Sequence, residues 1–391
     1  MDVERIASSP IGELVPVQGT DARHGQFAYF AYLPHPLPSD VVLESRTWTG
    51  VAKAARALGK LDQVCAQLPD PKWLIRPTLF KEALDTSALE GTIGMLKDLL
   101  EAQLPNAQFL SPETKEINAY VRVAMGAFEM IRQRQLSIGL LCELQNELFK
   151  DVEDKPDDVG RLRQGLVWVG PRHRPIQEAR FVPPPADDRL RSGLDSWQEW
   201  VQSPPEILPV VVQAAMAHYQ FEALHPFGDG NGRIGRLIVV LQLLSSETLK
   251  HPAISLSPWF LRHRTEYQEH LLAVSCSGDW NPWINFFCDA IADQCSSVIA
   301  GAERLLTWVH ESRQVLDQRR WTGKIQEFLP QLIEWPVTTI ADTASRYGLT
   351  VMGATRMIQH LTDVGILHEL TGKPYGRVFG AVDVMNIVEG I

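Results

Sequence analysis

From about residue 46 the apolar positions of the chain repeat at helical spacing. Val51, Ala54, Ala55, Leu58 and Leu61 fall three and four apart, a stripe along one helix face. The proline-containing stretch 68–72 interrupts it. A second helix is expected over 78–90, stopped by Gly91, a residue suited to a left-handed terminus. Thr92 stands where it would cap a third helix carrying Ile93, Leu96, Leu99 and Leu100. Two more helices are expected within 106–150. The texture then changes. A run containing Val167, Trp168 and Val169, a polar turn with Pro171 and Pro175, and Phe181-Val182 ahead of three prolines predict a β-hairpin. Helices resume near Asp187 and continue to about residue 315, one of them over 207–224. Residues 1–45, rich in Pro, Ser and Gly, carry no helical period and read as an extended arm anchored by Tyr29, Phe30, Tyr32 and Leu33.

The last stretch, 336–391, has its own pattern. A short amphipathic helix over 337–347, a turn at 348–350 and a second helix over 351–364 precede two strand-like pieces, 365–367 and 377–379, around a turn at 371–374. Helix–turn–helix followed by a hairpin is the pattern of a winged helix. Its charges argue against DNA. Lys324, Arg346, Arg356, Lys373 and Arg377 are opposed by Glu327, Glu334, Asp342, Asp363, Glu369, Asp383 and Glu389, and the second helix offers only Arg356 and His360. Phosphate neutralisation dominates DNA affinity, so protein contact or dimer support is the expected role.

Composition narrows the classes further. With 391 residues, 45% hydrophobic and 21% charged, the chain can bury a sizeable core in two or three domains. A net charge of −10 disfavours non-specific binding to nucleic acid or anionic membranes. The five cysteines are scattered, without a Cys-x-x-Cys pair, and read as reduced core thiols. Residues 1–17 have no basic, apolar leader, and the apolar run 237–244 is too short to span a bilayer. The expectation is a cytoplasmic protein without membrane attachment.

The chemistry concentrates in residues 225–236: His225, Pro226, Phe227, Gly228, Asp229, Gly230, Asn231, Gly232, Arg233, Ile234, Gly235 and Arg236. Pro226 disfavours helical geometry at His225 and so ends the preceding helix. The glycines let the backbone approach a ligand, and a helix resumes immediately after them. Backbone N–H groups at such a helix start, in the positive end of its dipole, suit phosphate. Arg233 and Arg236 add guanidinium charge one turn apart. Asp229 is a hard oxygen ligand of the kind Mg²⁺ takes beside nucleotide phosphates. His225 is a base that titrates near neutrality. Together these describe a phosphoryl- or nucleotidyl-transfer site.

This segment resembles the signature of Fic-domain proteins, H-P-F-x-[D/E]-G-N-G-R-x-x-R, at every specified position, and Phe221-Glu-Ala-Leu224 resembles the helix end before it. The resemblance implies a mainly α protein: a helical core with a β-hairpin flap plus a C-terminal winged helix-turn-helix, in three parts over 1–120, 121–315 and 316–391. It implies a protein adenylyltransferase that moves AMP from MgATP to a Ser, Thr or Tyr hydroxyl. His225 would be the general base and Asp229 the metal ligand. Gly230, Asn231 and Gly232 would form the anion hole, and Arg233 and Arg236 would grip the β- and γ-phosphates. Phe227 would pack in the core. Residues 160–182, with Gly160, Arg163, Val167, Trp168 and Gly170, resemble the flap that aligns a target protein by strand-like pairing. Tyr267, followed by Gln268 where many family members have a second tyrosine, is a candidate for the adenine pocket, whereas Trp280 and Trp283 read as core. A homodimer is implied by the family alone.

Thr86, Glu90 and Gly91 resemble the family's inhibitory motif, [S/T]-x-x-x-E-[G/N]. Thr86 and Glu90 are four apart and share one helix face. The expectation is that Glu90 pairs with Arg236, withdraws it from the γ-phosphate and holds activity down. The same residues leave room for removal of AMP, for transfer of UMP or phosphocholine, or for a nucleotide-sensing regulator without turnover. The target protein, the hydroxyl and the nucleobase are not written in the sequence.

Overall fold

The fold is given by a computed structural model. It describes all residues except Asn106, Gln108, Phe109, Glu153, Asp154, Arg172, Lys373 and Pro374. Parts of the expected 106–150 helices, flap and C-terminal turn therefore lie outside the described residues.

In chain order the elements are α1 (Val3–Ile6), β1 (Gly12–Asp21), β2 (Gly25–Pro34), α2 (Ser45–Gln67), α3 (Lys72–Glu90), α4 (Leu96–Glu101), α5 (Pro112–Met130) and α6 (Ile138–Leu148). After the flap come α7 (Asp188–Gln202), α8 (Val210–Leu224), α9 (Asn231–Ser245), α10 (Ser257–Arg262), α11 (Arg264–Ser277) and α12 (Asn281–Gln318). The chain closes with α13 (Lys324–Glu334), β3 (Val337–Thr339), α14 (Ile340–Tyr347), α15 (Val351–Asp363), β4 (His368–Glu369), β5 (Val378–Gly380) and α16 (Val382–Glu389). The fold is mainly helical, as expected. It divides into two compact units. One comprises 1–58, 122–250 and 259–292; the other comprises 59–121, 251–258 and 293–391. The divisions fall within α2, α5, α10 and α12 and between α9 and α10, so each unit is assembled from separate stretches of the chain.

The first unit is built on α8, which is buried nearly all round. Trp197 and Trp283 donate their indole N–H groups to its Ala217 and Ala215 carbonyls at 3.0 and 2.9 Å. Trp280 and Trp283 are core residues. The arm expected over 1–45 is instead largely a hairpin, β1 pairing antiparallel with β2 from Gly12↔Pro34 to Asp21↔Gly25. Its three-residue loop is closed by Asp21, whose carboxylate accepts from Arg23 and His24 N–H, and by Gly25 at φ 80°. Tyr32 is fully buried, Tyr29 and Leu33 are half-buried, and Phe30, expected as an anchor, points outward.

The flap carries no strands among the described residues. Val169 and Phe181 form one antiparallel bridge, and a 3₁₀ turn spans Ile176–Glu178. The prolines at 171, 175 and 183–185 remove the N–H donors a longer ladder needs. The flap draws its order from β2. Tyr32 N–H donates to the Val182 carbonyl at 2.8 Å, Phe27 meets Trp168 edge-on, and Val15, Ala31, Ile176, Ala179 and Val182 share one apolar cluster.

In the second unit α3 starts six residues earlier than expected and ends at Gly91, φ 98°. Thr92 does not cap α4. Its hydroxyl donates to Glu116 at 3.0 Å, and Met95 precedes the helix. The C-terminal residues form α14, α15 and an antiparallel sheet ordered β3-β5-β4; β3 takes the first three residues of the helix expected over 337–347, the strand expected at 365–367 lies at 368–369, and α16 is an additional helix. On α15 the His360 ring stacks on Trp321 at 4.1 Å. Lys373, counted among the module's cations, lies outside the described residues.

Candidate active site

Alpha-helix α8 ends where the proline dictates. His225 takes a left-handed conformation, φ 50° and ψ 62°, and turns the chain into the glycine loop. Its Nδ1 lies 3.3 Å from the Glu222 carbonyl. A carbonyl only accepts, so Nδ1 is the donor in this contact; in the neutral ring the lone pair is then on Nε2, the form a general base requires.

The loop is held by Asn231. Its Oδ1 accepts from Phe227 N–H at 2.9 Å and its Nδ2 donates to the Phe227 carbonyl at 2.8 Å, with the residue 2% exposed. The amide expected in an anion hole thus clasps the loop. The first N–H groups of α9, which begins at Asn231, have no acceptor within the helix, as at any helix start. Gly230 caps α9 at φ 84°, and a Cβ there would sit 2.9 Å from the Phe149 ring. Phe227 is buried against Phe221.

Arg233 and Arg236 are buried at 2% and 4% exposure on the first two turns of α9. Arg233 lies 5.2 Å above the Phe149 ring and 3.8 Å from Asp229 Oδ1. The Asp229 side chain is 54% exposed, and its Oδ1 accepts from Gly230 N–H. Gln145 of α6, fully buried, binds the Asp229 carbonyl and Gly160 N–H together.

Beside His225 opens a cavity of about 100 Å³. Tyr219, Glu222 and Ala223 of α8 line it with Val169, Arg180 and Phe181 of the flap and Gln268, Leu271, Leu272 and Ser275 of α11. Tyr267 is not in this wall. It is buried, and its hydroxyl lies 2.7 Å from His218 Nε2, while His218 Nδ1 lies 2.9 Å from the Gly235 carbonyl. His218 therefore donates through Nδ1 and accepts from Tyr267. Burial lowers its pKa to about 4 despite the bond to Gly235, and Arg236 adds to the lowering.

The structure thus gathers His225, Asp229, Gly230, Asn231, Gly232, Arg233 and Arg236 on one loop and helix start, and sets Tyr267 inward. Thr86 and Glu90 lie on α3 in the other unit, Thr86 buried and Glu90 half-buried. Gln145 and Glu222 escaped the sequence reading. Gln145 looks like an ordinary helix-surface residue, and only the resemblance around Phe221 pointed toward Glu222.

A helical core, a glycine loop opening a helix with two buried arginines, and a histidine at a cavity define a member of one protein class. Residues 135–243 match the Fic/DOC family and residues 48–129 match the Fic/DOC family N-terminal region. Residues 48–129 and 135–243 of this chain therefore carry the two regions of the Fic/DOC family. Among its curated relatives, Protein adenylyltransferase Fic of Nematostella vectensis is 27% identical over 225 residues, 55% of this chain and 47% of that one. The protein of the same name from Aedes aegypti is 32% identical over 150 residues, 38% and 26% of the respective chains. The chain spans less than half the length of these relatives. A crystal structure of a Fic family protein from Desulfovibrio desulfuricans G20 shares the fold at 18% identity, with a TM-score of 0.56 over 88% of this chain and 98% of that one.

Proposed function

We propose that the chain is an autoinhibited protein adenylyltransferase that moves AMP from MgATP to a Ser, Thr or Tyr hydroxyl of a protein, itself included. The observation that carries this reading is the 225–236 loop, which sets an imidazole with an Nε2 lone pair beside a helix start flanked by two buried arginines. In the step, Nε2 of His225 takes the hydroxyl proton as the oxygen attacks the α-phosphorus. The bond to the bridging oxygen breaks and pyrophosphate leaves. A positioned base is worth ~10²–10⁴-fold. The N–H groups at the α9 start receive charge on the phosphoryl oxygens. Arg233 and Arg236 hold the β- and γ-phosphates.

Asp229 fits a Mg²⁺ ion that arrives with the nucleotide. Its carboxylate is half-exposed, and among the described residues no group of three or more acidic, His or Cys side chains would hold a metal by itself. Mg²⁺ characteristically binds through one or two carboxylates plus phosphates. When bound it would offset phosphate charge.

Segment 160–182 would receive the target as an extended strand, and the C-terminal module would serve protein contact or a homodimer. The brake rests on the Thr86–Glu90 motif. Glu90 would hold an arginine away from the triphosphate. The test is intact-protein mass spectrometry after incubation with MgATP. Glu90→Gly should gain AMP about 10²-fold faster than the parent, since freeing a shielded charge is worth several kcal/mol. His225→Ala in that background should gain none. Nucleotide bound without transfer by Glu90→Gly would replace the enzyme reading with a sensor, and equal rates with and without Glu90 would remove the brake.

A further inference from the structure

Arg163 is 3% exposed, yet among the described residues no carboxylate lies within ion-pair distance of it. Its guanidinium is bound entirely by main-chain carbonyls. Nε donates to His225 O at 2.7 Å, Nη1 to Gly165 O at 3.0 Å, and Nη2 to Leu224 O at 3.4 Å and to Pro184 O. Its own N–H donates to Pro226 O at 2.9 Å. Burial lowers its pKa to about 10, with Asp158 and Asp187 acting the other way, so the group stays charged at neutral pH.

The partners fall into two sets. Leu224 and His225 end α8, where carbonyls lack helical partners and the dipole is negative, so a cation there caps the helix. Gly165 lies near the start of segment 160–182 and Pro184 just past its end. One planar group therefore ties both ends of the flap segment to the backbone of the histidine. That backbone sits at φ 50°, a region a side-chain-bearing residue holds only when its surroundings fix it.

We propose that Arg163 is a positioning residue that locks the His225 imidazole in register with the flap, so that it governs the chemical step and leaves nucleotide binding alone. The proposal rests on the transfer reading for its kinetic test, and it has a second readout that does not. Lysine keeps the charge but is a single-point donor and cannot span four carbonyls in a fixed fork.

The experiment compares Arg163→Lys and Arg163→Gln in full-length Glu90→Gly protein. Misplacing a reacting group by about an ångström can cost 10²-fold, so kcat should fall about 100-fold. KM for ATP should stay within about threefold, because the α9 start is untouched. The second readout is the imidazole resonance of His225 in isotope-labelled protein. It should be one set with Nδ1 protonated in the parent and a mixture of tautomers in Arg163→Lys. If the parent transfers nothing but the resonance splits in Arg163→Lys, the transfer reading fails, while the positioning of the His225 imidazole by Arg163 stands. A folded Arg163→Lys with unchanged kcat, or with an unchanged resonance, overturns it. So does failure of both variants to fold with no recovery in added guanidinium, which would make the role purely structural.

Discussion

At position 218 an imidazole is enclosed by Phe260, Tyr267 and Trp283, with ring centroids 6.2, 6.0 and 6.0 Å away. A histidine whose folded pKa lies near 4, against 6.5 when solvated, binds its proton more readily in the unfolded chain. Its contribution is full above pH 6.5 and is lost as pH falls toward 4, a span worth ~3 kcal/mol. Urea-unfolding midpoints should therefore drop between those values, and the drop should flatten in His218→Asn. An unchanged slope in the variant would assign the acid sensitivity elsewhere. Residues at this scale differ in how much the sequence reveals. That His225, Asp229 and the arginines share one loop and helix start was legible because they lie within twelve consecutive residues between a proline-ended helix and a glycine-led one. Asn231 was legible as a position, but its use as a clasp on Phe227 depends on a fold-back that no spacing encodes. Which side of α11 Tyr267 occupies was not legible, because one face of that helix meets the cavity and the next meets His218, and the sequence alone does not orient a helix with apolar residues around it.

Among the elements, α3 has the least ordinary burial. It encloses Thr78, Glu82, Asp85, Thr86 and Ser87 as well as its apolar residues. Glu82 accepts from Ser255 Oγ at 2.7 Å, from Ser257 N–H at 3.0 Å and from the Ser257 and Tyr120 hydroxyls. Glu82, Thr86 and Glu90 follow at intervals of four, so the helix bearing the proposed brake is pinned two turns upstream of Glu90. Glu82→Ala should cost about 3 kcal/mol in denaturant unfolding, since several hydrogen bonds to one buried carboxyl group are lost and their donors stranded. A loss below about 0.5 kcal/mol would mean that water replaces the carboxylate without penalty. The apolar stripe of α2 and the ends of α3 and α8 were readable from periodicity, glycine and proline. The hairpin of β1 and β2 was not, because Pro16 and Pro34 gave the stretch the texture of an arm. A hairpin signal was nonetheless present in the aromatic run 27–33 after a turn from Asp21 to Gly25. The flap erred in the opposite direction, its strand-like residues being interrupted by prolines.

Over the whole molecule the thiols are silent. Burial raises all of Cys65, Cys142, Cys276, Cys288 and Cys295, with Cys65, Cys288 and Cys295 pushed up to about 12. The thiolate is the reactive form. Cys65, Cys276, Cys288 and Cys295 are buried and Cys142 is half-buried, so folded protein at pH 8 should react with an aromatic disulfide reagent only slowly, and all five groups should react at once in denaturant; more than one fast thiol in the folded chain would contradict that burial. No described helix is long and apolar enough to cross a membrane. The predominance of helix and the separate texture of the C-terminal residues could be read in advance, but the partition into two units could not, because it depends on which distant segments return to one another. That interleaving has a consequence for synthesis. A ribosome has finished the first unit only at residue 292 and the second only at residue 391. A premature stop anywhere before residue 292 leaves both units incomplete, and nascent chains must shelter exposed apolar surface until late in translation.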